Sequence, residues 1–334
     1  MVNLSELTHV IDLLERYAAR SVIDRALLAA GLDRAMLGGT AGFIPYAAEA
    51  VVLEFVARAI GDRHLGARVG RDFDYSTYGA YSSYVLGAPD LATALDRGRR
   101  ALSLTHPGSE IGLRETDNHL VVGRNSEGLS VIGHQHLDEG ALFVIGHVVR
   151  HFLGADWRPD WAEIPNASPG EVAELSAFVG TAVRVDAMMP AVAVRRCDLA
   201  AINPGPPQPE KTISLEEMES LMGVSPVQTM QESVAQMLTI AGSTGLGSQE
   251  AVARLLAIGA RSLQRALKAE GTSFRQVRLR FVEERARSLL FGTDMSIEEV
   301  GKALGYTEPR SFRRAFNEWT GLSPSAFRAG ERAG

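Results

Sequence analysis

The chain has 334 residues, 46% of them hydrophobic and 22% charged, with one cysteine and a formal net charge of −6. That length makes two domains the prior expectation, and the composition is that of an ordinary globular protein rather than a disordered or fibrous one. The lone Cys197 excludes an intramolecular disulfide framework and fits a reducing cytoplasm, no apolar run approaches the ~20 residues that span a bilayer, and the opening MVNLSELTHVIDLLERY carries too many charges for a secretory signal.

Residues 4–71 read as helices. Leu4, Leu7, Ile11 and Leu14 make one apolar stripe; a second helix, Ser21 to Ala30, stops at Gly31; Ala47 to Ile60 is a third. Gly79 and Gly87-Ala88-Pro89 punctuate the next stretch, and Asp90 can cap a helix running to about Leu104. Tyr75, Tyr78, Tyr81 and Tyr84 recur every three residues and are four of the seven tyrosines in the chain. Core packing with hydroxyls at the rim accounts for them. So does an effector pocket, which uses amphipathic rings and a few polar groups. Arg99 or Arg100 would then supply a counter-charge for an acidic effector, although solvation is the ordinary reading of both.

A β section follows. Glu110 to Glu115 and His119 to Arg124 are two short runs joined by Asp117-Asn118, which predicts a hairpin. Leu137 to Leu153 is helical, and Thr181 to Val185 and Ala191 to Val194 read as another strand pair. The N-terminal part is therefore α+β with four or five strands.

All eight histidines precede residue 152. His147 and His151 stand at i and i+4, a spacing that metal ligands use, but no Glu follows His147 and the metalloprotease signature is absent. His134 and His136 lie just upstream and join the tyrosines as candidate effector contacts. Asp138-Glu139 reads as an exposed helix start, and Cys197 as a buried structural thiol. There is no Gly-x-Ser-x-Gly elbow and no phosphate loop. No catalytic residue, metal or cofactor is assigned.

Asn203-Pro204-Gly205-Pro206-Pro207-Gln208-Pro209 is the one evident linker, with four prolines in six positions. Ser214 to Met222 forms a short helix. Pro226 opens the first helix of a C-terminal module, with Val234, Met237, Leu238 and Ala241 inward.

That module holds one unit twice. In Ser296 to Arg328, Ile297, Val300 and Leu304 form a stripe, Gly305 ends that helix and Thr307 can cap the next. Phe312, Ala315, Phe316 and Trp319 then face inward at i, i+3, i+4 and i+7, leaving Arg310, Ser311, Arg313, Arg314 and Asn317 outward. Pro309 is tolerated in the first turn of that helix, and Gly321 and Ser323-Pro324 close the unit. Upstream, Arg261-Ser262-Leu263-Gln264-Arg265-Ala266-Leu267 lies over Arg310 to Phe316, with Val252 and Leu256 over Val300 and Leu304. Between them Phe274 to Phe291 is one amphipathic stretch with Val277, Phe281, Val282, Ala286, Leu289 and Leu290 inward. Two helix-turn-helix units on one connecting helix suit two neighbouring major-groove segments roughly 34 Å apart. Arg261, Gln264, Arg265, Arg310, Ser311 and Arg314 suit base edges; Lys268, Arg313 and Asn317 suit phosphates.

Charge is distributed accordingly. From Gln231 onward there are 15 Lys and Arg against 11 Asp and Glu, net +4, and the remainder holds 19 against 29, net −10. A basic module behind an acidic one is an electrostatic footprint for DNA.

At these residues the chain resembles the AraC-type (AraC/XylS) family of bacterial transcriptional regulators. The marks are Leu304-Gly305-Tyr306, Ser311-Phe312-Arg313-Arg314-Ala315-Phe316, Thr320-Gly321 and Ser323-Pro324. The first unit departs more, with Ala257 and Gly259 where the family has a small turn residue and a Ser cap. The N-terminal pattern, with Gly31-Leu32-Asp33, Tyr78-Gly79-Ala80-Tyr81 and Gly180 to Val185, resembles the arabinose-binding-domain-like sensor of one subgroup. The resemblance implies residues 1–202 as an effector-binding and dimerisation domain, 203–225 as linker and short helix, and 226–334 as an all-α DNA-binding domain. It implies a cytoplasmic regulator, more often an activator, with promoter DNA, a small-molecule effector, RNA polymerase and a second copy of itself as partners, and no membrane. The rival is an enzyme-like N-terminal domain fused to a DNA-binding module.

Overall fold

A computed structural model of the chain describes residues 1–37, 42–126, 131–205, 214–222, 229–241, 247–256 and 258–331. They fall into two compact units, Met1–Pro226 and Val227–Gly334. Pro206 to Pro209 of the expected linker, Pro226 as a helix opener and Ala257 lie outside the described residues.

The first unit is α+β. It runs β1 (Val2–Asn3), α1 (Leu4–Leu14), α2 (Arg20–Ala29), α3 (Arg34–Leu37), β2 (Phe43–Ile44), α4 (Tyr46–Ile60) and α5 (Leu65–Asp72). A 3-10 turn, Tyr75–Tyr78, leads into α6 (Ala80–Leu86) and α7 (Leu91–Thr105). Then come β3 (Ser109–Glu115), β4 (His119–Ser126), α8 (His134–Leu153), β5 (Ala162–Glu163), α9 (Pro169–Val179), β6 (Val183–Arg184) and β7 (Ala191–Arg195). A second 3-10 turn, Arg196–Ala200, and α10 (Leu215–Met222) close it.

The apolar stripes do what their period requires. Leu4, Leu7, Ile11 and Leu14 are all buried. Asp90 caps α7 by accepting from the Thr93 amide at 2.7 Å. The hairpin forms, with Glu115 opposite Leu120.

Three expectations need correction. Phe43–Ile44, inside the stretch read as helices, is a strand paired antiparallel with β1; two residues are too few to show a period. The strands at 183–184 and 191–195 exist but do not pair with each other. The sheet order is β3-β4-β7-β5-β6, with β5 between them, antiparallel to β7 and parallel to β6. The two-residue β5 was invisible for the same reason. Cys197 is exposed, on the second 3-10 turn, and is not a buried thiol.

Helices α5 and α8 cross at backbone distance. A methyl at Gly66 would overlap the His136 backbone, and one at Gly70 would lie 2.7 Å from the Gly140 Cα. Glycine is required at Gly66 and Gly70 because no side chain fits between these helices.

The second unit is helical throughout its described residues: α11 (Met230–Ala241), α12 (Gln249–Leu255), α13 (Ala260–Ala269), α14 (Phe274–Gly292), α15 (Ile297–Ala303), α16 (Pro309–Thr320) and α17 (Pro324–Glu331). Val234, Met237, Leu238, Val252, Leu263, Leu267 and Val277 are buried around the first helix pair. Val282, Ala286, Leu290, Val300, Leu304, Phe312, Phe316 and Phe327 form one core around the second. Truncating either fully buried phenylalanine of α16 would cost about 3–5 kcal/mol.

Candidate functional site

The two outward helix faces are built from below by their cores. On α13, Leu263 and Leu267 are fully buried, so Arg261, Gln264, Arg265 and Lys268, at i, i+3, i+4 and i+7, stand together on the exposed side. On α16 the fully buried Phe312 and Phe316 leave Arg310, Ser311, Arg313, Arg314 and Asn317 exposed.

Both helices are fixed at their ends. Glu270, just past α13, accepts from the Met230 and Gln231 amides at 2.6 and 3.0 Å, tying α13 to the start of α11. Gln249 of α12 donates to the Ala260 carbonyl at 3.3 Å. In the second unit Ser296 and Glu299 form a reciprocal capping box at the start of α15. Gly301 of α15 lies where a methyl would come 3.2 Å from the Phe312 Cβ, so α15 and α16 pack closely. Thr307 does not cap α16; Glu308 is the cap residue, with no side-chain bond, and Pro309 follows in the first turn. Arg328 of α17 donates to the Leu290 carbonyl at 3.0 Å, closing the unit onto α14.

Most of the outward cations are uncommitted. Among the described residues Arg261, Arg265, Lys268, Arg310 and Arg313 make no ion pair, whereas Arg314 meets Glu318 at 3.2 Å on the open surface. Exposed guanidinium and amide groups on a rigid helix face are the donors that read base edges and phosphates in a major groove. Arg275, Arg278 and Arg280 are likewise exposed along α14.

In the first unit the six candidate effector residues do not share one place. Tyr75, Tyr78 and Tyr81 converge on a small internal cavity of about 40 Å³, with His106, Arg124 and a wall of aliphatic side chains from α6, α7 and α8. Their rings are in edge contact, 5.3 Å between Tyr75 and Tyr78 and 5.8 Å between Tyr78 and Tyr81. Burial pushes the Tyr75 and Tyr78 hydroxyls well above the usual phenol range. Tyr84 is buried outside that lining, beneath the Arg97 guanidinium. His136 lines a separate cleft of about 460 Å³ beside α4 and α9, bonded to Glu54 at 3.1 Å, and His134 sits against Asp138 at 3.4 Å.

Other residues also stand elsewhere than their sequence suggests. Arg99 and Arg100 point outward to Asp96 and do not reach the cavity. Asp138-Glu139 is not an exposed helix start: Glu139 is buried, bonded to His64 at 2.8 Å, and burial lifts the Asp138 carboxyl to about 7. His147 and His151 bond the Gly70 carbonyl and Asn203 rather than converging on a metal site. The cavity's cation is Arg124, which a strand-end arginine in a hairpin gave no reason to single out. Its guanidinium lies 4.6 Å over the Tyr46 ring. Glu6, 2.7 Å from His106 and 3.0 Å from the Tyr78 hydroxyl, is held below its ordinary pKa: burial alone would raise it, but the His106 interaction, Arg124 and Tyr78 outweigh that.

Residues 22–202 match the family model described as the arabinose-binding domain of AraC transcription regulator, N-terminal, and residues 252–330 match a helix-turn-helix domain. The chain belongs to the AraC family of transcription regulators. Among curated proteins it is similar to the HTH-type transcriptional regulator VqsM of Pseudomonas aeruginosa, 38% identical over 76 residues, or 23% of each chain. It is also similar to the ornithine utilization regulator of the same organism, 32% identical over 113 residues, which is 34% of this chain and 33% of that one. The matched stretches thus span about a quarter to a third of those relatives' length. Among solved structures, the transcriptional regulator CdpR from Pseudomonas aeruginosa aligns over 92% of this chain and 97% of its own, at 19% identity and a TM-score of 0.42. No helix among the described residues is long and apolar enough to cross a membrane.

Proposed function

We propose that this chain is a sequence-specific, DNA-binding transcriptional activator whose activity is set by a small-molecule effector. In this reading residues 1–202 bind the effector and dimerise, 203–225 connect, and 226–334 bind promoter DNA in the bacterial cytoplasm and present the complex to RNA polymerase. Arg261, Gln264, Arg265, Arg310, Ser311 and Arg314 read base edges, and Lys268, Arg313 and Asn317 hold phosphates. Tyr75, Tyr78 and Tyr81 form the effector wall.

One observation carries the reading. The same outward set of cationic and amide side chains occurs on α13 and on α16, each time opposite a fully buried pair of apolar residues. A face that is merely solvated has no reason to be built twice. Effector binding acts only through its differential affinity for the DNA-competent arrangement.

The test is fluorescence-anisotropy binding to the DNA upstream of its own coding sequence and to a scrambled duplex, at several salt concentrations. Discrimination of about 10³-fold or more, surviving near-physiological salt, supports the regulator. Equal and steeply salt-dependent affinity for both duplexes, with and without added small molecules, would replace it with a sequence-indifferent DNA binder.

A further inference from the structure

The cavity beneath the tyrosines is lined by an arginine that makes no ion pair among the described residues. Arg124 stands near the end of β4 and lines the cavity; among the described residues its buried Nε has no hydrogen-bond partner and its guanidinium no ion pair. The nearby acid, Glu6, is already committed. One of its oxygens accepts from the Tyr78 hydroxyl at 3.0 Å and the other meets His106 at 2.7 Å. Glu49 is buried beside Glu6, and burial reinforced by that neighbour pushes its pKa well up. Asp138 also feels the Arg124 charge but makes no ion pair with it among the described residues. A guanidinium N–H buried without an acceptor is costly, and leaving that donor unfilled has no structural benefit.

The remaining walls are of the opposite character. Val85, Leu95, Leu102, Val122, Ile145 and Val148 surround the space on the other sides. Tyr46, over which Arg124 lies, has a buried hydroxyl with no partner among the described residues. A planar fork at one end and an aliphatic and aromatic enclosure at the other select a planar anion attached to an apolar body. A cation is repelled by Arg124. A bare phosphate has nothing to place against the aliphatic wall.

We propose that the effector is a small amphipathic carboxylate, its carboxyl group held bidentately by Arg124 and its apolar body packed among Tyr75, Tyr78 and Tyr81. This rests on the reading of the N-terminal unit as an effector domain and adds the chemical class. The cavity of about 40 Å³ holds little more than one water's share of volume, ~30 Å³. Such a ligand therefore enters by pressing α6 and α7 outward, so occupancy and helix position are linked.

Isothermal titration of the full chain with phenylacetate and hexanoate, their amides phenylacetamide and hexanamide, and inorganic phosphate decides this. The carboxylates bind, the amides bind at least about tenfold more weakly, and Arg124→Gln lowers carboxylate affinity by about 10- to 100-fold, the range of a hydrogen bond to a charged group. Gly98→Ala is the second variant. Its methyl would meet Tyr81, Ile111 and Val85 at 3.5 to 4.0 Å, ordinary contact within helix α7, so the protein folds while the cavity shrinks. Carboxylate affinity then falls even if Arg124→Gln fails to fold. Equal binding of acids and amides, equal binding of inorganic phosphate, unchanged affinity in either variant, or no binding of either acid each overturns the carboxylate assignment. Effector control itself would remain open to support from the anisotropy assay, where any small molecule that changes DNA affinity counts.

Discussion

The side-chain amide of Asn203 donates to the Leu86 carbonyl at 2.6 Å, and also to the Ala88 carbonyl at 2.7 Å. Its oxygen accepts from the Gly205 amide at 2.9 Å and faces His151 Nε2 at 3.2 Å. The backbone on either side is pinned too: Asn203 donates to Pro89, and Leu91 to Ala201. Leu86 ends α6, whose Tyr81 and Val85 line the cavity, and α10 packs on α6 through the fully buried Met218. The start of the linker is therefore strapped to the helix that must move when the cavity fills.

Asn203→Ala is expected to remove that strap. Two carbonyls lose their donor, at a cost of about 1–3 kcal/mol in urea unfolding of the full chain. Affinity for DNA without effector stays close to that of the wild type, while the change in affinity on adding effector shrinks. An undiminished effector response in this variant would show that the signal leaves α6 by another route.

The Arg314 guanidinium meets Glu318 at 3.2 Å and, in the proposed reading, also reads a base edge. Arg314→Ala should cost roughly 1–3 kcal/mol on the cognate site and relax sequence preference there. Glu318→Gln should act oppositely, tightening binding, because it frees the guanidinium and removes a like charge from the phosphate side. Lys268→Ala should weaken every duplex about equally and reduce the salt slope by about one. Anisotropy titrations on matched and mismatched duplexes measure all three. Unchanged site preference in Arg314→Ala would remove that helix position from base readout.

Gly66→Ala should destabilise the N-terminal unit by about 3 kcal/mol or more. The added methyl has no space against the His136 backbone, and two packed helices do not separate cheaply. Gly61→Ala is the contrast: nothing lies near its Cβ, so its cost is confined to the left-handed φ of 74° at the end of α4, about 1–2 kcal/mol. Urea midpoints of the two variants give the comparison.

Asp138 makes stability depend on pH. Burial holds its carboxyl at about 7 in the folded chain, with Glu139 adding to the rise and Arg124 opposing it. The unfolded carboxyl titrates near 4, so between about pH 4 and 7 the folded state keeps a proton that the unfolded state has released. Its contribution to stability falls as pH rises through that window and is flat above it. Asp138→Asn should flatten this slope and be more stable than the wild type at pH 8 by about 2–4 kcal/mol. Equal wild-type and variant midpoints at pH 5 and pH 8 would show that Asp138 ionises freely.

The sequence by itself determined the elements that are long and periodic. Phe312 and Phe316, Leu263 and Leu267, and the stripe from Val277 to Leu290 repeat at helical spacing over whole helices, so their inward and outward faces follow from covalent geometry alone. The hairpin at Asp117-Asn118 and the Asp90 cap are local in the same sense. What tertiary structure decided is whatever depends on residues distant in the chain. The two-residue strands β2 and β5 exist because a partner strand lies alongside, not because of their own pattern. Asp138-Glu139 is covered, and Cys197 uncovered, by what happens to pack there. Arg124 rather than Arg99 or Arg100 faces the tyrosines because sheet register turns one arginine inward, while the helix face turns the other two toward Asp96. Periodicity records which side of an element is buried; only the packed fold sets what each buried group meets.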